Sequence, residues 1–148
     1  MDSESAELKA HQELIEQHRA LNELLGHVNE ALAERSGTIA EVSGLLARLG
    51  DMLVKHFESE EQGGYFAEAL THAPRLIARA NALMAQHPKM TRYARELAGA
   101  ADPDREPDLW WQQTRERFEA FRDELKQHES RENELLQEAY HRDLGSND

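Results

Sequence analysis

Eight histidines and no cysteine stand in this 148-residue chain, and two of the histidines are followed at the same interval by a glutamate. They occur in the runs His56-Phe-Glu-Ser-Glu60 and His128-Glu-Ser-Arg-Glu132. On a helix, a spacing of i to i+4 stacks two side chains on one face, so each pair presents an imidazole and a carboxylate together. The lack of cysteine excludes disulfides, thiolate zinc sites, iron–sulfur clusters, c-type haem and cysteine nucleophiles. A metal would have to be held by nitrogen and oxygen, a donor set that suits iron and zinc, and manganese less well.

The elements that must position these residues are helical throughout, because Gly and Pro punctuate the chain at few places and the apolar spacing between them never alternates as in a strand. The first helix is predicted over about 5–34, ending in Arg35-Ser36-Gly37. The second starts at Thr38, where Thr38 and Glu41 form a capping-box pattern, and reaches about 61; after Gly63-Gly64 it can continue to 72 past a kink. The third opens at Pro74, a residue favoured in the first helical turn, and runs to about 98, with a kink expected at Pro88. The fourth runs from about 107 to 140, and the tail beyond reads as frayed.

Each segment carries a 3-then-4 apolar rhythm, the inward seam of a left-handed bundle. The seams read His11, Leu14, His18, Leu21, Leu25, Val28, Leu32; then Ile39, Val42, Leu46, Leu49, Leu53, His56, Glu60; then Leu76, Ala80, Leu83, His87, Met90, Ala94, Leu97; and Trp111, Thr114, Phe118, Phe121, Leu125, His128, Glu132, Leu135, Ala139. Four such seams predict an all-α, up-down-up-down antiparallel four-helix bundle, as one domain over residues 1–148.

Every seam is interrupted by histidine, and two of them by His then Glu. Burying these groups unpaired costs on the order of several kcal/mol per ion, and two divalent cations would offset two glutamates and a bridging hydroxide. Counted from the first turn, His18 and His56 lie within roughly 5 Å of one level at 1.5 Å per residue, while His11 is level with Glu60. The count does not choose between His11 and His18. For His87 and His128 to meet, the fourth helix must overhang the end of the third. Within Glu58 to Glu61 only Glu60 points inward, the rest being a solvated face; His27, His72 and His141 are surface residues, and Trp110 and Trp111 form an aromatic cap.

Composition narrows the function. Seventeen Lys and Arg against 29 Asp and Glu leave a net charge of −12, a field that repels nucleic acid and anionic lipid, so neither is an expected partner. No run approaches the length of a membrane span and the start lacks a basic-then-apolar leader, which predicts a cytoplasmic protein.

The order His18, His56-x-x-x-Glu60, His87, His128-x-x-x-Glu132 resembles the hemerythrin-like (HHE cation-binding) domain, over roughly 13–139. The run His18-Arg-Ala-Leu21-Asn-Glu-Leu-Leu25 is similar to that family's first-helix pattern and favours His18 over His11. The resemblance implies a hemerythrin-like fold with a non-haem di-iron centre in the bundle core, oxo- or hydroxo-bridged, ligated by His18, His56, Glu60, His87, His128 and Glu132, the two carboxylates bridging. It implies binding of dioxygen or a related small ligand such as nitric oxide or peroxide, for sensing, storage or detoxification, in a metal- and ligand-binding protein rather than a dedicated enzyme, with no catalytic residue assigned and a protein partner left open. Dioxygen carriers of the family have a second histidine four residues from the first on the third helix, where this chain has Leu83 and Thr91. That leaves an open coordination position or a place for His11, Tyr93 or Glu124. A ferritin-like iron-handling bundle is the first alternative, its Glu-x-x-His pattern met only by Glu138-x-x-His141; a metal-free helical interaction module is the second.

Overall fold

The computed structural model describes the backbone of residues 2–62, 64–100 and 104–142; the side chains of 2–8, 10, 11, 64, 65, 141 and 142 lie outside the described set. The elements are α1 (Asp2–Glu34), α2 (Ile39–Gln62), α3 (Gly64–His72), a 3-10 turn (Pro74–Leu76), α4 (Ile77–Met84), α5 (His87–Ala98), α6 (Pro107–Gln137) and a closing π turn (Glu138–Arg142). Of the tail expected to be frayed from 141 onward, residues 141 and 142 belong to the closing turn, and 143–148 fall outside the described residues.

Local chemistry fixes the turn that sets α1 against α2. Arg35 adopts φ 51 and Ser36 N–H donates to the Ala31 carbonyl at 3.0 Å, which is a Schellman ending. Gly37 follows at φ 79, and Thr38 Oγ1 accepts from the Glu41 N–H at 3.1 Å, capping α2. The Glu41 carboxylate lies over Gly37, 2.4 Å from where a Cβ would stand.

The third segment differs from expectation. A single helix kinked at Pro88 is replaced by a 3-10 turn and two helices, with the break at Ala85 and Gln86. The physical reason is that proline lacks an N–H and its ring clashes with the carbonyl four residues earlier, which here belongs to Met84. Placing Pro88 in the first turn of a new helix removes both conflicts. The break therefore lies ahead of His87, which opens α5.

The helices close a ring: α1 packs on α2, α2 on α5, α5 on α6 and α6 on α1, with α4 against α6 and α3 against α1 and α2. This is the all-α four-helix bundle, its third position shared by α4 and α5. From Leu21 to Leu32 on α1, and from Val42 onward on the other segments, the seam residues are buried. The core is nevertheless in two parts. A larger one gathers residues including Leu25, Leu49, Leu53, Met90, Phe118, Phe121 and Leu125; a smaller one gathers Phe66, Ala69, Ala73, Leu76, Ala80, Leu83, Leu135 and Ala139. Between Leu125 and Leu135 on α6, and between Leu83 and Met90 around the break, the buried residues are polar: His128, Glu132 and His87.

α6 does overhang α5, beginning roughly 15 Å beyond the level where α5 ends, and Trp110 and Trp111 fill that end edge to face with ring centroids 5.1 Å apart. Both are buried. Among the described residues no helix is long and apolar enough to cross a membrane.

Because Gly37 sits in the left-handed region, Gly37→Ala should lower stability by about 1 to 2 kcal/mol, with the flexible Glu41 carboxylate yielding at little further cost. Chemical denaturation measures this, and an unchanged midpoint would show that the turn is not held in that conformation.

Candidate metal centre

Five side chains of the predicted set meet in one buried layer. His56, Glu60, His87, His128 and Glu132 are each no more than 3% exposed. α2 contributes His56 and Glu60, α5 opens on His87, and α6 contributes His128 and Glu132. His18 comes in from α1 at the edge of the layer, its side chain 30% exposed and its ring centroid 4.7 Å from that of His56. The side chain of His11 lies outside the described residues. Tyr93 and Glu124 are not brought to the layer: the Tyr93 hydroxyl donates to the Arg117 carbonyl at 3.1 Å, and Glu124 is exposed.

The outward ring nitrogens explain how the inner ones are aimed. His56 Nδ1 lies 3.0 Å from Gln17 Oε1, His87 Nδ1 is 3.0 Å from Glu61 Oε1, and His128 Nδ1 is 2.8 Å from Gln86 Oε1. For His56 the direction of the bonds can be followed outward. The Lys55 carbonyl can only accept, so the Ser59 hydroxyl donates to it at 3.0 Å; Ser59 Oγ then accepts from Gln17 Nε2 at 3.0 Å. Gln17 is left with its oxygen toward His56, which must carry its proton on Nδ1. Glu61, as a carboxylate, likewise requires Nδ1–H on His87. Phe57 stacks on the His87 ring at 3.8 Å and 3° and holds its plane.

With Nδ1 protonated, each Nε2 presents a bare lone pair to the interior. His87 Nε2 and His128 Nε2 stand 3.0 Å apart, with Glu132 Oε1 3.3 Å from the first and in contact with the second. His56 Nε2 is 2.6 Å from Glu60 Oε1, yet among the described residues neither atom has a hydrogen-bond partner, nor does Glu60 Oε2. Among the described residues acceptors outnumber donors here, an arrangement that a cation relieves. Metal-bound histidines characteristically donate their other N–H to an oxygen in this way. Among the described residues two groups could each hold an ion: Glu60, His87, His128 and Glu132 form one, and His18, His56 and Glu129 the other, the donor atoms of each lying within 4.8 Å of one another. The orphaned nitrogen and carboxylate oxygens and the N/O donor set fit a metal.

Glu129, Gln17, Gln86 and the inward role of Glu61 escape a seam reading. Glu61 is 43% exposed, as a solvated face should be, but it reaches back to His87. Glu129 follows His128 directly and so looks off-seam. The available signal was its i to i+3 spacing to Glu132, which places both on one face of α6.

Burial pushes the Glu60 carboxyl well above the ordinary range, helped by its contact with Glu132. Burial also works to raise Glu132, but its close contacts with His128, His87 and Glu60 outweigh it and hold this carboxyl low. The two thus share one proton when no metal is bound. Burial, together with His18, lowers His56 to about 4, burial lowers His18, and burial with the Glu132 charge raises Glu129 to about 7.

These directions give the metal-free protein a pH dependence of defined sign. A carboxyl whose folded pKa is raised contributes stability that is complete below its unfolded value and is lost as pH rises toward the folded one. Glu60 and Glu129 act in that sense above about 4.5, while His56 acts oppositely between about 4 and 6.5. Above about pH 7 only Glu60 remains. Stability of the chelator-treated protein should fall between about pH 7.5 and 9 by up to about 1.4 kcal/mol per unit, and Glu60→Gln should flatten the slope. Denaturation at several pH values checks it, and a rise over that interval would refute the shared proton.

A model of the hemerythrin HHE cation binding domain matches residues 9–140. No match is found among curated proteins or among solved structures. The match covers most of the chain, including every residue of the buried polar layer. This chain belongs to the hemerythrin HHE cation-binding family.

Proposed function

We propose that the protein holds a di-iron centre through His18, His56, Glu60, His87, His128 and Glu132 and binds dioxygen or a related small ligand there, nitric oxide and peroxide included. The observation that carries this reading is the convergence of three bare Nε2 atoms and two carboxylates with a single carboxyl proton among them. Iron bound there would supply a Lewis-acidic, redox-active centre. The chain's own residues do the rest. Gln17, Glu61 and Gln86 keep protons on the outward nitrogens so that the inward ones stay free to ligate. Glu60 and Glu132 supply the negative charge two cations require.

A cleft of about 350 Å³ reaches His18, Glu60 and Glu132 between walls that include Leu14, Ile15, Phe66, Leu136 and Tyr140. Its mostly apolar walls favour a small uncharged ligand over a hydrated anion. The ferritin-like alternative loses support because Glu138 bonds to Arg79 at the surface rather than facing the core.

Iron-replete expression should yield about two iron atoms per chain, and less than about half an atom would overturn the proposal. A second expected outcome is a loss that grows with iron. Glu132→Leu removes one partner from a buried polar layer, a change that costs about 3 to 5 kcal/mol in comparable cases. The variant should therefore melt lower than the parent in chelator, and lower by a wider margin with iron, which stabilises only the state that binds it. Equal losses in both conditions would defeat a metal role for this residue.

A further inference from the structure

Glu129 is unusual for a glutamate on a long, highly charged helix. Its Oε1 is fully buried and has no hydrogen-bond partner among the described residues, and the side chain is 13% exposed. The group opposite Oε2 is His18 Nδ1, at 3.8 Å. That separation is too long for a hydrogen bond. It does fall between the spacings of about 3 Å and about 4.2 Å that two donors have when each lies about 2.1 Å from one ion, in cis and in trans. His18 and His56 meet near-perpendicular, at 70°, as two imidazoles around a common ion can.

We propose that Glu129 is a protein ligand of the ion held by His18 and His56, completing a His-His-Glu set beside the Glu60, His87, His128 and Glu132 group. The inference rests on the di-metal reading above. The donors divide accordingly. Without Glu129, the ion at the α1 edge has two imidazoles and only what it shares of Glu60 and Glu132; with it, each ion has a carboxylate of its own side. The consequence for ligand binding is concrete. A small ligand arriving through the cleft at His18 competes with a carboxylate already in place, so Glu129 tunes that ion's access.

A rival role is that of an outer anchor, with Glu129 accepting Nδ1–H from His18 as Gln17 and Gln86 do for their histidines. Glu129→Gln separates the two, because an amide oxygen serves as anchor at the other sites but is a poor substitute for a carboxylate ligand. The measurement is anaerobic titration of the full chain with Fe(II) alone, counting ions per chain by native mass spectrometry against a competing chelator. The parent should bind two ions, while Glu129→Gln binds the first unchanged and the second at least tenfold more weakly. Adding His18→Ala to Glu129→Gln should weaken that same second ion and spare the first.

If Glu129→Gln binds both ions within threefold of the parent, Glu129 is an anchor and the inference fails, while the di-metal reading stands. If both ions weaken together, Glu129 acts on the layer as a whole and the inference fails. A parent that binds less than about half an ion overturns the di-metal reading and Glu129 with it. Melting in chelator shows whether Glu129→Gln is folded; should it not be, Glu129→Asp, which keeps the charge and withdraws it by one methylene, is read by the same criteria.

Discussion

Lone pairs pointed at lone pairs are the constraint around which this bundle is organised. A helical seam normally carries leucine, and each residue of the layer from His56 to Glu132 gives up apolar burial to place an acceptor in the interior. Protons cannot settle the account in full, since Glu60 and Glu132 share one between them while His56 is held neutral by burial. A divalent cation satisfies several acceptors at once, and the geometry asks for charge of that kind.

The same constraint ties the site to the register of the helices. Each central imidazole is oriented from a neighbouring element: His56 on α2 by Gln17 of α1, His87 on α5 by Glu61 of α2, and His128 on α6 by Gln86 in the break before α5. Sliding any helix by one residue would disconnect an anchor and rotate a ring. Bundle packing and donor geometry are therefore one variable, and the break around Gln86 takes part in it by leaving that amide free to turn toward α6.

Much of this was legible in sequence because the chemistry lies on the seam. His56, Glu60, His87, His128 and Glu132 occupy positions where the 3-then-4 rhythm demands an apolar residue, so their burial followed from spacing alone. What was hidden depends on adjacency between helices. Gln17 and Gln86 are ordinary polar residues until a histidine from the next helix faces them, and Glu129 is one step off the stripe. The break in the third segment was displaced from Pro88 to Ala85 and Gln86 because proline acts on the turn before it. Trp110 lies off the seam, yet the overhang of α6 buries it beside Trp111.

Two hydrophobic cores separated by a polar layer also imply two units of cooperativity. The smaller core, from Phe66 to Leu83 with Leu135 and Ala139, is separated from the larger one by the buried His and Glu side chains. Amide protons of α3 and α4 should then exchange through a local opening that leaves the Leu49 and Phe118 side intact. A cation held in the layer would weld the units, so occupancy would be written into hydrogen-exchange protection far from any donor atom, at the end of the bundle that carries the cleft.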